Sequence, residues 1–261
     1  MTVQGARFPV GHPMTAQPPL VSERPVAIVC NAVTLGVMMA SPADLEDFAL
    51  GFAVTEGVIL DPSELREIEI VDHANGTEAR LWLSPAAAVR AAARHRAMTG
   101  PVGCGLCGID SLDKVDRPLP PLSAHVVTLT RAEACAAPDL LRLRQPEHDR
   151  TRGCHAAGFL IPGRGIVLAR EDVGRHNALD KLAGALVKSG LTPASGAVVL
   201  TSRVSTEMVQ KAVMMGAATV IAVSTATDYA VRLADRADLT LITRVRDGHC
   251  EVLSAPHRLL S

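Results

Sequence analysis

Cys104-Gly105-Leu106-Cys107 sets two thiols three positions apart, with glycine also at 103 and 108. Glycine permits backbone shapes that other residues resist, so both sulfurs are predicted to be reachable from outside. A structural cysteine is instead wrapped in apolar side chains. Three chemistries use such a pair. Structural zinc takes four N or S ligands, commonly as two close pairs. Here there is no second Cys-x-x-Cys, and Cys154-His155 is only a weak supplement. Dithiol redox centres of the thioredoxin type sit at a strand-to-helix junction, whereas Gly-Pro-Val-Gly precedes Cys104. Sulfur relay needs a nucleophilic thiolate on an arm that reaches donor and acceptor, with a second thiol to hold or release the sulfur. The glycine-rich loop suits the third use without proving it, and no metal site is expected.

A second group of polar residues falls at predicted strand ends. Thr201-Ser202-Arg203-Val204-Ser205 follows the apolar run 197–200, Ser224-Thr225 follows 220–223, and Thr243 to His249 follows 239–242. Ligands of parallel α/β sheets bind outside the carboxyl ends of strands. Free amides at helix starts there favour phosphate, and arginine adds forked hydrogen bonds. Ordinary capping by Ser and Thr is the plain alternative at any one junction. Arg170-Glu171-Asp172-Val173-Gly174-Arg175-His176-Asn177 mixes acid, base, imidazole and amide at another such end. Asn177 reads either as a helix cap or, with Asp172, Arg175 and His176, as a ligand contact. Asp180 and Lys181 read as a solvated helix face unless they serve the same site. Cys154 reads as buried packing, and a lone histidine such as His155 is more often structural than catalytic.

The elements that must position these groups follow from local pattern. Val26–Cys30 and Val33–Met39 predict a hairpin across Asn31-Ala32. Ser41, Pro42 and Asp44 predict a capped helix running to Glu56, with Gly57 as its stop. Short strands are expected at Ile68–Val71 and Ala79–Leu83, then a helix over Ala86–Arg96. Thr130 and Glu133 form a capping box for another helix. From Gly165 onward strands and helices alternate: 165–169, 177–188, 197–201, 205–216, 219–224, 228–237 and 239–243. That alternation predicts a mixed, largely parallel sheet in an α/β fold. Residues 1–25, rich in proline, read as a flexible tail. Residues 26–121 read as a smaller N-terminal α+β lobe ending in the thiol loop, and 122–261 as an α/β domain.

Composition narrows the classes. Among 261 residues, 48% are apolar and only 2% aromatic, which disfavours base-stacking platforms for nucleic acid. A net charge of −1 leaves no global basic footprint. No apolar run approaches the roughly 20 residues of a membrane span, and the tail lacks the apolar core of a signal peptide. Six cysteines in so long a chain do not make a disulfide scaffold, so a reducing cytoplasm is expected.

Taken together, Gly103–Gly108, Gly153-Cys154-His155-Ala156-Ala157, the run Glu171–Lys181 (EDVGRHNALDK) and the run Ser202–Lys211 (SRVSTEMVQK) resemble the FdhD family of formate dehydrogenase accessory sulfurtransferases. The likeness extends from about Val26 to the C-terminus. It implies a cytidine deaminase-like core and a homodimer. It implies that Cys104 carries a persulfide, assisted by Cys107, taken from a cysteine desulfurase. The acceptor implied is the bis(molybdopterin guanine dinucleotide) form of the molybdenum cofactor, sulfurated before insertion into formate dehydrogenase. The cofactor's guanine dinucleotide, for which GDP is an analogue, would lie on His155, Asp172, Arg175, His176, Asn177, Ser202, Arg203, Ser205, Ser224 and Thr225. The family's C-terminal cofactor stretch falls on Arg244, Val245, Arg246, Asp247, Gly248 and His249. Two rivals remain: a cofactor-sheltering chaperone without sulfur chemistry, and a zinc deaminase. The second needs His-x-Glu before Pro-Cys-x-x-Cys, and this chain has His155-Ala156-Ala157 after its cysteine pair.

Overall fold

The structure is a computed structural model that describes residues 19–98, 118–122 and 127–260. The thiol pair Cys104/Cys107 lies outside the described residues, as does most of the expected tail.

Two sheets organise the chain. Strands β1 (Arg24–Cys30), β2 (Val33–Ala40), β3 (Leu65–His73) and β4 (Gly76–Leu83) form a four-stranded sheet in the order β2-β1-β4-β3. The β1–β2 turn is the expected one. Asn31 and Ala32 both have positive φ, 45° and 67°, as a tight hairpin requires. The Asn31 side chain also accepts from the Leu83 amide at 2.7 Å, which fastens the turn to β4. Helices α1 (Leu45–Thr55) and α2 (Pro85–Met98) accompany this sheet. Its core holds Phe48, Ile28 and Leu81, essentially without exposure, each worth about 1.5–3 kcal/mol on burial.

After β5 (Leu129–Thr130) come α3 (Arg131–Arg142), α4 (Pro146–Thr151), β6 (His155–Ile161), β7 (Gly165–Asp172), α5 (Arg175–Ser189), β8 (Ala197–Leu200), α6 (Thr206–Met214), β9 (Thr219–Ala222), α7 (Asp228–Arg236), β10 (Thr240–Arg246), β11 (His249–Ser254) and β12 (Leu259–Leu260). The six-stranded sheet runs β11-β10-β9-β8-β6-β7. Pairing is parallel at β8–β9 and β9–β10 and antiparallel at β10–β11, β6–β8 and β6–β7. The α/β class is therefore as expected, with four strands running one way, while β6 and β11 insert against that direction. Helix α3 starts at the expected capping box, with Glu133 and Thr130 exchanging bonds.

Helix α1 packs directly on α5 and joins the two sheets' layers. A Cβ on Gly51 would lie 1.6 Å from the Asp180 carbonyl oxygen, and one on Gly184 would lie 2.0 Å from that of Asp47. Only glycine allows this approach, because no side-chain rearrangement moves a helix backbone. The capping expected of Ser41 is not found. Asp44 occupies the N-cap with φ 54° and makes no side-chain cap bond, because Ser41 is engaged elsewhere.

Candidate functional site at the carboxyl edge

Strands β7, β8, β9 and β10 point the same way, so their carboxyl ends share one edge. Antiparallel β6 brings its first residue to that edge, with His155 opposite Asp172 and Ala157 opposite Leu200. The sheet thus gathers His155, Asp172, Thr201 and Ser224 from separate segments. The loop after β8 pairs with the loop after β9: the Val204 amide donates to Thr225, and Thr227 donates back to Val204, both at 3.1 Å. This fixes Ser202–Ser205 beside Ser224-Thr225.

Asp172 and Asn177 hold this edge from beneath. Asp172 is fully buried. Its Oδ1 accepts from the Gly174 amide at 2.8 Å and Asn177 Nδ2 at 2.9 Å. Its Oδ2 accepts from the Ser41 amide at 2.9 Å and Lys181 Nζ at 2.7 Å. Asn177 also donates to the Met39 carbonyl at 2.9 Å, and the Ser41 hydroxyl accepts from the Val173 amide at 3.1 Å. Asp172 therefore has no lone pair left for a ligand; it positions the loop that carries Arg175 and His176. Asn177 is not the helix cap, since Gly174 is the N-cap of α5 and Asn177 lies inside the helix with its Nδ2 protons taken by Asp172 and Met39. Asp180 and Lys181 are not a solvated face either, at 1% and 0% exposure. Asp180 meets Thr55 at 2.6 Å and Lys211 at 2.9 Å, and Lys211 also reaches Glu56 at 2.8 Å. With two carboxylates facing it, Lys211 has its pKa raised against the opposing effect of burial.

The upper side of the edge is differently equipped. Helix α7 is capped by Thr227, whose side chain accepts from the Ala230 amide at 3.3 Å. Helices α5 and α6 begin at Gly174 and Ser205 without any side-chain cap bond. Their first amides retain the partial positive charge of a helix start. Around them are buried polar atoms without hydrogen-bond partners: Arg175 Nε, His176 Nε2, Ser205 Oγ and, on fully buried Thr243, Oγ1. His176 Nε2 lies 3.1 Å from Glu207 Oε2 but lacks hydrogen-bond alignment. Buried polar atoms are nearly always satisfied, and these are gathered at one edge. Arg203 is exposed beside them, whereas Ser202 is buried and bonds the Arg203 carbonyl at 3.0 Å. His155 is half-buried. Burial first, then the charge of Arg175, lowers its pKa below the ordinary 6.5, leaving a neutral imidazole at pH 7.

The stretch 244–249 is not a single strand-end loop. Strand β10 continues through a bulge to Arg246, and Asp247-Gly248 turns the chain with φ of 51° and 73° into β11. Val245 is buried in the core against α3, so its side chain faces away from any ligand. Arg244 stays near the edge, its amide donating to the Ser224 carbonyl at 3.2 Å, while its guanidinium pairs with Glu251 at 3.0 Å. Arg246, Asp247 and His249 are exposed on the hairpin. Thr225 donates to the Ala226 carbonyl at 3.3 Å.

Sequence reasoning gave no site role to Glu207, read Thr243 only as the start of a strand-end stretch, and did not foresee that Ser41, Thr55, Glu56 and Lys211 brace the edge from below. The available signal was charge within apolar helix faces, as at Asp180-Lys181 between Leu179 and Leu182. Cys154 is buried as expected, and burial raises its pKa. Among the described residues, no group of three or more His, Cys, Asp or Glu converges on a metal position, and no helix is long and apolar enough to cross a membrane.

A protein of Agrobacterium fabrum named sulfur carrier protein FdhD is 44% identical over 250 residues, 96% of this chain and 92% of that one. Its namesake from Cupriavidus necator is 44% identical over 254 residues, 97% of this chain and 88% of the other. A crystal structure of a Desulfotalea psychrophila protein, named as a formate dehydrogenase accessory protein, superposes with a TM-score of 0.72 at 26% identity. It covers 92% of this chain and 90% of its own. The FdhD/NarQ family profile matches residues 21–260, and the chain belongs to that family.

Proposed function

We propose that this chain carries sulfur from a cysteine desulfurase to the bis(molybdopterin guanine dinucleotide) cofactor destined for formate dehydrogenase. Cys104 thiolate attacks the sulfane sulfur of the donor persulfide. The donor leaves as a thiol, and Cys104 becomes the persulfide. Cys107 thiolate then attacks the inner sulfur of Cys104. Hydrosulfide departs toward the acceptor metal, already reduced by two electrons, and a Cys104–Cys107 disulfide remains for a cellular dithiol to reduce. The cofactor is the substrate of this transfer, and the protein acts as a homodimer.

The observation that carries the acceptor half is the edge itself, with two helix starts lacking side-chain caps and unpartnered Arg175, Ser205 and Thr243 atoms. Such a surface suits a diphosphate linking a guanosine to a pterin. Arg203 supplies charge, and neutral His155 bounds the site. The names of the relatives support the sulfur-carrying half.

Incubation with a cysteine desulfurase and L-cysteine, followed by intact-mass analysis, tests this reading. Wild type gains one sulfur atom, reversible by dithiothreitol, and Cys104→Ala does not. No adduct on wild type removes the carrier role and leaves the chaperone, whereas equal adduct on Cys104→Ala removes Cys104 as the residue that carries the sulfur.

A further inference from the structure

A second thiol pair lies away from the carboxyl edge. Cys135 is the fifth residue of α3, and Cys250 the second of β11, separated by 115 positions of sequence and joined by the fold. Cys135 Sγ donates to the Gly248 carbonyl at 3.4 Å, at the tip of the β10–β11 hairpin. Gly248 is two positions before Cys250, so the two cysteines sit on facing stretches of α3 and β11. Both are free and only partly buried, unlike Cys30 and Cys154. Cys250 rests on the cluster that includes Ala134, Ala137 and Val245.

Packing alone explains a small apolar side chain between a helix and a strand. It does not explain two thiols on facing elements and partly open to solvent, since an alanine or valine fills such a space without a reactive group. A disulfide sets its sulfurs about 2.05 Å apart, so the hairpin tip and α3 draw together as it closes.

We propose that Cys135 and Cys250 form a reversible disulfide that fastens the β10–β11 hairpin to α3, a redox modification site separate from Cys104 and Cys107. The oxidant is a low-molecular-weight disulfide such as oxidised glutathione. Cys135 thiolate attacks one glutathione sulfur and expels glutathione thiolate. Cys250, deprotonated as it reacts, then attacks the Cys135 sulfur of the mixed disulfide and expels the second glutathione. Two protein thiols are oxidised, and one glutathione disulfide is reduced to two thiols. Burial and the neighbouring Cys135 hold the Cys250 thiol above its ordinary pKa, so little of it is thiolate and the second attack relies on being intramolecular. Arg131, one helical turn before Cys135, opposes that shift and stabilises developing thiolate charge. The bond would tie down the segment carrying Arg244, Arg246 and His249.

Peptide mapping tests this without recourse to sulfur transfer. The full-length protein is incubated with millimolar oxidised glutathione, alkylated, and digested with trypsin without reduction. The expected product is residues 132–142 linked to residues 247–258, two hydrogens lighter than the sum of the free peptides and lost on dithiothreitol treatment. Cys250→Ser should instead accumulate glutathione on Cys135. Hydrogen exchange of the hairpin amides should slow in the oxidised wild type and stay unchanged in Cys250→Ser. Recovery of both cysteines alkylated, or only as separate glutathione adducts, overturns the proposal. So does the same link at equal yield after oxidation in urea, since it would then owe nothing to the fold.

Discussion

Lys181 Nζ lies 2.7 Å from Asp172 Oδ2, and neither side chain has any exposed surface. The pair joins α5 to the end of β7, and through the Ser41 amide and carbonyl it also grips the segment between β2 and α1. Lys181→Met should leave the Asp172 charge buried and uncompensated, a loss of about 3–5 kcal/mol. Asp172→Asn in that background removes the stranded charge and should recover part of the loss. Urea unfolding of the single and double variants measures both. A loss under about 1 kcal/mol for Lys181→Met would contradict the fixed-clasp account.

That clasp explains where the sequence could and could not be read. Helices with strong local signals were legible: Thr130 and Glu133 form their capping box, and Gly57 takes φ +74° after α1. The shared edge was legible too, because strand direction follows from alternation of strand and crossover. Partners of long sequence separation were not. Ser41 follows a strand and precedes Pro42, which is the local pattern of a cap, yet its backbone and hydroxyl bond Asp172, Val173 and Lys181, more than 130 residues away. Local propensity cannot encode that competition. Strand β10 extends past its expected end, because Thr243-Arg244-Val245-Arg246 breaks apolar continuity while its alternate residues, Thr243 and Val245, are buried. Nothing in the local pattern reveals that the Thr243 hydroxyl is left without a partner.

His155 gives the edge a measurable acid response. Its pKa is lowered, first by burial and then by the Arg175 charge. The unfolded chain therefore binds a proton more readily than the folded one. The stability that neutral His155 contributes is full above about 6.5 and is lost as pH falls below 6.5 toward the folded pKa. Titration of the histidine ring resonances, assigned with His155→Gln, should place the His155 midpoint below 6.5. Arg175→Gln should move it upward, part of the way, because burial remains. A wild-type midpoint at or above 6.5, or one indifferent to Arg175→Gln, would show that Arg175 does not face His155 as described.

The edge should also discriminate among guanine ligands by their phosphates. The starts of α5 and α6 and the unpartnered atoms of Arg175 and Ser205 are donors waiting for oxygen acceptors, and Arg203 stands beside them. Isothermal calorimetry is therefore expected to show GDP binding far more tightly than guanosine, with an affinity that falls as salt rises. Arg203→Ala removes a charge-assisted bond of about 1.5–3 kcal/mol, which is roughly ten- to a hundredfold in Kd. Ser205→Ala removes a neutral bond of about 0.5–1.5 kcal/mol, a few-fold to tenfold. Neither substitution touches the buried clasp, so both variants should unfold at the wild-type urea concentration. Guanosine binding as tightly as GDP would mean that the helix starts hold no phosphate. An unchanged Kd in Arg203→Ala would move the diphosphate elsewhere, and the unpartnered atoms of the edge would then need another occupant.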